Sequence, residues 1–222
     1  TSDQTPLRDP WGGWYITGKH GTQEHMGNVI APVLAHEVGN MKSYLANAKL
    51  PSGANVTDLR GRFDTEPYLT PHRDIVSMMV LAHQATVHNL ITRAGYEGRV
   101  AEHDGALNET RIRNVVEPLV RAMLFAKEAP LSAPLEGTSG FAEEFVSKGP
   151  RDGKGRSLRD FDLQRRTFKF PLSYLIYSES FDALPAVVKD YVSARLDAIL
   201  NGSDATPDFA HLSASDREAI LE

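Results

Sequence analysis

The sequence contains no cysteine, and this absence excludes several kinds of chemistry together. Disulfides, cysteine-ligated zinc, thiol catalysis and thioether attachment of haem within this segment all need a residue that the chain lacks. The sequence also lacks an apolar run long enough to span a bilayer, so we expect no transmembrane segment in this chain. These absences leave the cellular compartment open.

Positive charge is also in short supply, because 24 Lys and Arg residues face 29 Asp and Glu residues and the net charge is −5. Binding of nucleic acid usually needs a basic patch or stripe. The composition therefore predicts no nucleic-acid partner. The hydrophobic content of 41% is that of an ordinary globular protein and is sufficient for a sizeable core.

The spacing of apolar residues predicts a mainly α fold, an irregular multi-helix domain with long loops. The clearest helix is predicted to begin at Thr70-Pro71 and to end near Gly95, followed by a polar loop over residues 96–107. A second helix is predicted to start at Asn108, with Pro118 kinking or splitting it.

Other segments give weaker or shorter signals. The segment Val29–Leu50 has roughly helical spacing that is broken by Pro32 and Gly39, and Leu172–Phe181 fits either a helix or a buried strand. Three further helices are predicted: one over residues 141–146, one from Pro185 to Asn201-Gly202, and one that starts at Ser213 with a capping-box pattern.

We interpret residues 1–222 as a single domain excised from a longer protein. Its last helix stops at Glu222 without a signal that ends a helix. Within it, residues 1–28 form a segment rich in Gly, Trp and His, and residues 70–222 form the helical body.

The stretch Trp11–Asn28 carries the residues with the most chemistry. It contains both tryptophans of the chain, five glycines and the sequence His25-Met26 close to His20. Histidine and methionine together suit haem iron or copper better than zinc or magnesium, and histidine also moves protons near neutral pH. His20 and His25 are therefore candidate catalytic residues. The alternative is a glycine-rich loop that its aromatic rings fix to the core, with histidines that only make hydrogen bonds.

His83 and His88 are weaker metal-ligand candidates, because positions five apart differ by about 140° around a helix axis and do not share a face. His83 falls among apolar positions and is interpreted as a core residue. Either histidine could still join His20 or His25. The remaining histidines are interpreted as a residue of the first helical turn (His72) and as ordinary loop or surface residues (His36, His103, His211).

A basic loop follows residue 149. Arg151, Lys154, Arg156 and Arg159 alternate there with glycines, an arrangement that can cradle a carboxylate or phosphate through guanidinium groups and backbone amides. A solvated basic loop is the alternative.

Several stretches of the chain resemble segments of large bacterial exported proteins of the c-type cytochrome-like class. The matching stretches are Trp11–Asn28, Gly53–Leu59, Tyr68–His72, Gly137–Glu144, Gly155–Asp160 and Ser173–Glu179. In such proteins a Cys-x-x-Cys-His haem-attachment motif precedes the Trp-Gly-Gly-Trp stretch. This chain begins after that position, so the resemblance implies haem c bound mainly through an upstream segment.

The resemblance and the residues lead to one hypothesis: the chain is part of a periplasmic c-type cytochrome-like protein and covers a haem. His25, Met26 or His20 would supply or shape the distal position. The other residues expected at the haem are Arg156 and Arg159, which would meet the propionates, and Trp14 and Tyr15, which would pack on the macrocycle.

The function expected from this hypothesis is electron transfer or haem-based redox chemistry, with a redox partner protein. An open distal site would make the protein a haem-dependent oxidoreductase, with His20 or His25 as acid or base. Two alternatives stay open: a haem-free structural or interaction domain, and a non-haem metal enzyme with histidine ligands.

Overall fold

A computed structural model describes residues 1–28, 55–106, 108–204 and 206–222 of the protein. The described part has six helices, is 44% helical and has almost no strand, which confirms the predicted mainly α class with irregular packing and loops. The helix predicted within residues 29–50, together with His36, lies outside the described residues.

Helix α1 runs over Ile75–His103 and has 29 residues. Its N-cap is Asp74, whose side chain accepts the backbone N–H groups of Val76 and Ser77. The predicted start at Thr70-Pro71 is therefore wrong, because the buried carboxylate that satisfies the first turn stands later in the chain. The predicted end near Gly95 and the polar loop over residues 96–107 are also wrong, since the helix continues to His103.

Gly95 and Gly98 are close-packing positions inside α1 rather than signals that end it. A Cβ at Gly98 would lie 2.7 Å from Cγ2 of Val188, and a Cβ at Gly95 would lie 3.3 Å from Cδ2 of Leu184. Glycine is common just after a helix, but here its missing side chain lets two elements approach. That contact is long-range, so the local sequence does not reveal it.

Helix α2 spans Glu109–Met123 and begins, as predicted, after Asn108, whose side chain accepts the N–H of Arg111 at 2.9 Å. Pro118 lies inside this helix without dividing it, so the helix is not split there. The apolar face around the proline is buried and offsets the backbone hydrogen bond that proline removes. Its buried members are Ile112, Val116, Leu119, Val120 and Met123.

The second half of the chain follows the predictions more closely. Helix α3 covers Phe141–Ser147, and the ambiguous stretch Leu172–Phe181 forms a 3-10 turn over Tyr174–Tyr177 and then a short helix α4 over Glu179–Asp182. The structure therefore selects helix over strand for that stretch.

Helix α5 spans Ala186–Leu200, with Pro185 before its first residue and Asn201 as its C-cap, as predicted. A 3-10 turn over Pro207–Phe209 leads to helix α6 over Ala214–Leu221, which has the predicted capping box between Ser213 and Asp216. None of the helices in the described ranges is long and apolar enough to cross a membrane.

The main hydrophobic core lies where α1, α2 and α5 pack together. A second, smaller apolar cluster lies under the Trp11–Asn28 segment. Its buried members are Trp11, Ile16, Ile75, Val76 and Leu135. Because Ile75 and Val76 open α1, this cluster fixes the segment to the start of the longest helix.

Isolated backbone bridges join three distant parts of the chain beside this smaller cluster. Thr17 pairs in parallel with Asp74, and Lys19 pairs in antiparallel with Glu136. The Thr17 N–H donates to the carbonyl of Arg73 at 2.8 Å, and Lys19 and Glu136 exchange two hydrogen bonds of 2.9 Å. The loop before α3 is thereby fixed to the same point as the Trp11–Asn28 segment.

The buried Asp74 side chain adds further hydrogen bonds at the junction where Thr17, Asp74 and the loop before α3 meet. Its Oδ1 accepts the N–H groups of Val76 and Ser77, and its Oδ2 accepts the N–H groups of Thr138 and Ser139 at 2.7 and 2.9 Å and the Ser139 hydroxyl at 2.9 Å. The residue is only 3% exposed. A single buried carboxylate thus caps α1 and holds the loop before α3.

We expect Asp74→Asn to lower the free energy of unfolding by about 2 kcal/mol or more, because an amide NH2 would face donors that now bind a charged oxygen. Urea unfolding monitored by circular dichroism measures the loss. The matched control is Asp64→Asn, since Asp64 makes an exposed hydrogen bond to the Glu66 N–H. Equal stability of the two variants would contradict the role given to Asp74.

Candidate functional site

Asn28 forms hydrogen bonds back to residues near the start of the Trp11–Asn28 segment. The Asn28 side chain accepts the Ile16 N–H and donates to the Ile16 carbonyl, both at 2.8 Å, and its own N–H donates to the carbonyl of Trp14 at 2.8 Å. Asn28 adopts a left-handed backbone with φ of 65°, a conformation that asparagine tolerates. The segment is therefore a pinned loop with a defined shape.

Gln23 fixes the same loop to the segment before Leu135. Its side-chain amide donates to the carbonyl of Ala133 at 2.7 Å and accepts the N–H of Ser132 at 2.8 Å. The Gln23 carbonyl lies 2.6 Å from Nδ1 of His20. Because a carbonyl only accepts, this contact places the proton of a neutral His20 on Nδ1 and its lone pair on Nε2.

The loop brings His20 and His25 together inside the protein. Their ring centroids lie 4.7 Å apart in an edge-to-face arrangement, and the Trp11 ring lies 5.7 Å from His25 on another side. Both histidines are buried, and so is the neighbouring Met26. His20, His25 and Trp11 therefore share one buried region, and Met26, the residue after His25, is buried as well.

The electrostatics of this region keep His25 uncharged. Burial, and to a smaller extent the proximity of His20, lower the pKa of His25 from 6.5 to about 4, while a backbone hydrogen bond with Gly27 opposes the shift. Within the described part of the chain, the buried Nδ1 of His25 has no hydrogen-bond partner. A neutral imidazole with an unbonded buried nitrogen is unusual, because buried polar atoms are normally paired.

Gly27 is the position that allows the histidine ring to lie so close to the backbone. A Cβ there would lie 2.5 Å from Cγ1 of Ile16 and 2.8 Å from Nδ1 of His25. Sequence reasoning did not single out Gly27 or Trp11 as parts of the site. The sequence alone does not indicate which of the two tryptophan rings, or which of the five glycines, contacts His25.

Trp14 and Tyr15, the aromatic residues expected at a haem, have other neighbours. Trp14 is half exposed, and the guanidinium of Arg73 lies 3.9 Å from its ring centroid. Tyr15 packs on Phe63 with ring centroids 5.0 Å apart. Among Trp11, Trp14 and Tyr15, Trp11 is the residue whose ring contacts His25.

Arg156 and Arg159, expected at haem propionates, contact the second half of the chain. Arg156 forms ion pairs with Asp152 and Glu222. The guanidinium of Arg159 lies over the rings of Phe145 and Tyr174. No contact in the described part of the chain brings either arginine to His20 or His25.

The two weaker candidates on α1 differ in environment. His83 is buried, with Nδ1 2.7 Å from Oδ2 of Asp3 and Nε2 2.8 Å from the hydroxyl of Ser173, and it stacks on Phe125. His88 is exposed. Neither joins the His20–His25 pair, and His72 precedes α1 instead of lying in its first turn.

Neither metal-ligand geometry nor comparison with known proteins assigns a role to the His20–His25 pair. In the described ranges, no group of three or more His, Cys, Asp or Glu side chains is arranged to hold a metal ion. The chain matches no protein-family model, and neither curated proteins nor solved structures contain a match. The site must therefore be interpreted from its own chemistry.

Gly27→Ala should destabilise the loop, because the added methyl group would overlap Ile16 and His25. Overpacking of this kind costs about 1–3 kcal/mol. Urea unfolding measures the effect, with Gly61→Ala as the control, since a Cβ at Gly61 meets nothing within 4 Å. Two equally stable variants would show that the close approach is not required.

The low pKa of His25 predicts a specific dependence of stability on pH. Between pH 6.5 and pH 4 the unfolded chain binds a proton at His25 that the folded chain does not, so the free energy of unfolding falls with falling pH by up to about 3 kcal/mol. We expect His25→Gln to remove this part of the decrease.

The comparison of wild type, His25→Gln and the exposed-site control His103→Gln, each unfolded in urea at several pH values, isolates the effect of His25. Carboxylates that titrate in the same range are common to all three proteins and cancel in the differences. An identical pH dependence for His25→Gln and wild type would contradict the buried, neutral state of His25.

Proposed function

We propose that the Trp11–Asn28 segment forms one face of a haem site, with haem c held by a segment upstream of this chain, in a periplasmic c-type cytochrome-like protein. The observation that carries the proposal is the buried Nδ1 of His25, which has no hydrogen-bond partner among the residues that the structure describes. The protein would serve electron transfer or haem-based redox chemistry with a redox partner protein.

The chemistry of His25 fits a ligand of iron. An imidazole can donate a lone pair to a metal only when it is not protonated on both nitrogens. The lowered pKa of about 4 keeps His25 neutral at physiological pH. A free histidine, by contrast, is partly protonated near pH 6.5. The buried environment also excludes water, which would compete for the metal.

The hydrogen bonds of His20 support the same role. Imidazole ligands commonly donate their second N–H to a backbone carbonyl, which fixes the ring and its tautomer. The contact between Nδ1 of His20 and the Gln23 carbonyl has this form. Met26, which follows His25 in the chain, adds a buried thioether, a ligand type that haem iron accepts.

Only some of the residues expected at a haem lie near the His20–His25 pair. His20, His25 and Met26 would hold or approach the iron, and Trp11, whose ring contacts His25, would take the aromatic role that the sequence assigns to Trp14 and Tyr15. Arg156 and Arg159 are engaged with their own chain and are not included in the proposal. Haem would supply one-electron redox chemistry at this place.

The two histidines also limit any acid–base role. With a pKa of about 4, His25 carries only one ring proton at neutral pH, so it cannot act there as an imidazolium general acid. If the site acts on a small molecule as a haem-dependent oxidoreductase, His25 would therefore serve as a base or hydrogen-bond acceptor. His20, with its proton directed to Gln23, would orient the neighbouring ring.

The test is a titration with a peptide that carries covalently attached haem c and one open axial position, followed by its Soret absorption. We expect wild type to shift the band in a saturable manner and His25→Ala to bind at least tenfold more weakly. His88→Ala is the matched control, because His88 is an exposed histidine on α1. Thermal unfolding shows that each variant is folded.

Absence of any shift with wild type, or an equal shift with His25→Ala and His88→Ala, would contradict the haem proposal. The first result with a stable, metal-free chain would favour the haem-free structural or interaction domain. Metal in the purified protein without haem absorption would favour a non-haem metal enzyme.

A further inference from the structure

The basic loop after residue 149, a candidate anion cradle by sequence, forms a tight turn. The Asp152 side chain accepts the N–H groups of Lys154 and Arg156 at 2.9 and 2.8 Å, and the Asp152 N–H donates to the carbonyl of Arg156 at 2.9 Å. Gly155 has a left-handed backbone with φ of 74°, and its N–H donates to the Asp152 carbonyl. The side-chain cations of the loop, rather than this amide, are therefore the donors open to an anion.

One carboxylate of the chain lies on these cations. Oε2 of Glu222 forms ion pairs with Nζ of Lys154 and with Nη1 of Arg156, the latter at 3.1 Å. Nε of Arg156 donates to Oδ2 of Asp152 at 2.6 Å, which holds the guanidinium in place. The hydrogen bond and charge of Lys154, and to a smaller extent Arg156, lower the pKa of the Glu222 carboxyl. The turn thus favours the charged form of a carboxylate.

A pocket of about 220 Å³ lies beside the same cations, and both Arg156 and Glu222 line it. Its apolar walls are formed by Leu158, Phe170, Leu172, Tyr177 and Ile220. The Arg156 guanidinium lies 5.8 Å from the centroid of the Phe170 ring, so charge and apolar surface are adjacent. Pockets for drug-sized ligands measure about 300–1,000 Å³, so this one suits a smaller molecule.

The contact of Glu222 with the loop is open to exchange. The side chains of Glu222 and Lys154 are 39% and 63% exposed, and ion pairs between exposed side chains contribute little to stability. A guest carboxylate in place of Glu222 would keep the charge balance of the loop. A ring attached to that carboxylate would also be removed from water against Phe170 and Tyr177, and Tyr177 is largely exposed without it.

We propose that this pocket binds a small aromatic monocarboxylate, of the size of benzoate, in exchange for the Glu222 side chain. The carboxylate of the ligand accepts from Arg156 and Lys154, since arginine matches the planar shape of a carboxylate. The ring of the ligand packs against Phe170 and Tyr177. Glu222 competes for the same cations and therefore lowers the affinity of the pocket.

The inference is independent of the haem proposal, because His20, His25 and Met26 take no part in it. The pocket is lined instead by the loop after residue 149, the stretch around Phe170 and the end of α6. Failure of one proposal therefore leaves the other unchanged.

The experiment is a titration of the full 222-residue chain with sodium benzoate at constant ionic strength. Proton–nitrogen correlation spectra follow the amide signals of Gly153 and Gly155, which flank Lys154. Acetate lacks the ring, benzyl alcohol lacks the charge, and inorganic phosphate lacks both the ring and the carboxylate. We expect saturable shifts with benzoate, and none with the three other ligands at the same concentrations.

Three variants test the site, and thermal unfolding shows that each is folded. Glu222→Gln should bind benzoate at least threefold more tightly, because the competing charge is removed, whereas Glu218→Gln, at an exposed position of α6, should not change the affinity. Arg156→Gln should bind at least tenfold more weakly, with the exposed Arg93→Gln on α1 as its control. Ala219→Leu should also weaken binding, because it fills the pocket without changing a charge.

Three results would overturn the proposal. The first is the absence of a saturable shift with benzoate. The second is binding of acetate, phosphate or benzyl alcohol as tight as that of benzoate, since the pocket would then not recognise a ring and a carboxylate together. The third is an affinity for benzoate that neither Glu222→Gln nor Arg156→Gln changes, which would place the ligand away from these cations.

Discussion

The Asp74 carboxylate is the constraint on which the rest of the structure depends. It accepts hydrogen bonds from the first turn of α1 and from Thr138 and Ser139 in the loop before α3, while Thr17 pairs with its backbone. Three parts of the chain that are far apart in sequence therefore meet at one buried charge. The Trp11–Asn28 segment, fixed to this junction, gains a defined position over the start of the longest helix.

Much of the helical pattern was predictable because it depends on local chemistry. Asn108 and Ser213 cap helices as their side chains suggest, and α5 ends at Asn201 before a glycine with positive φ. The errors arise where distant contacts decide. Gly98 accommodates Val188 instead of ending α1, and the start of α1 is set by a carboxylate that also binds a loop more than sixty residues later.

For the candidate site, the sequence singled out the segment and its histidines but not how they are arranged. The spacing of His20, His25 and Met26 indicated that they could converge; the structure brings the two histidine rings together and buries Met26. The sequence could not show that Trp11 rather than Trp14 contacts His25, since the spacing of residues does not distinguish two nearby tryptophans. It also could not show that Arg156 pairs with Asp152 and Glu222, because the second partner lies at the far end of the chain.

The most direct measurement is the visible absorption spectrum, oxidised and reduced, of the protein purified in the form that its own cells synthesise. Our account predicts a Soret band that shifts on reduction and that changes when His25 alone is replaced. A protein without a Soret band and without metal would contradict the haem proposal. His25 would then be a buried histidine that the fold keeps neutral for structural reasons alone.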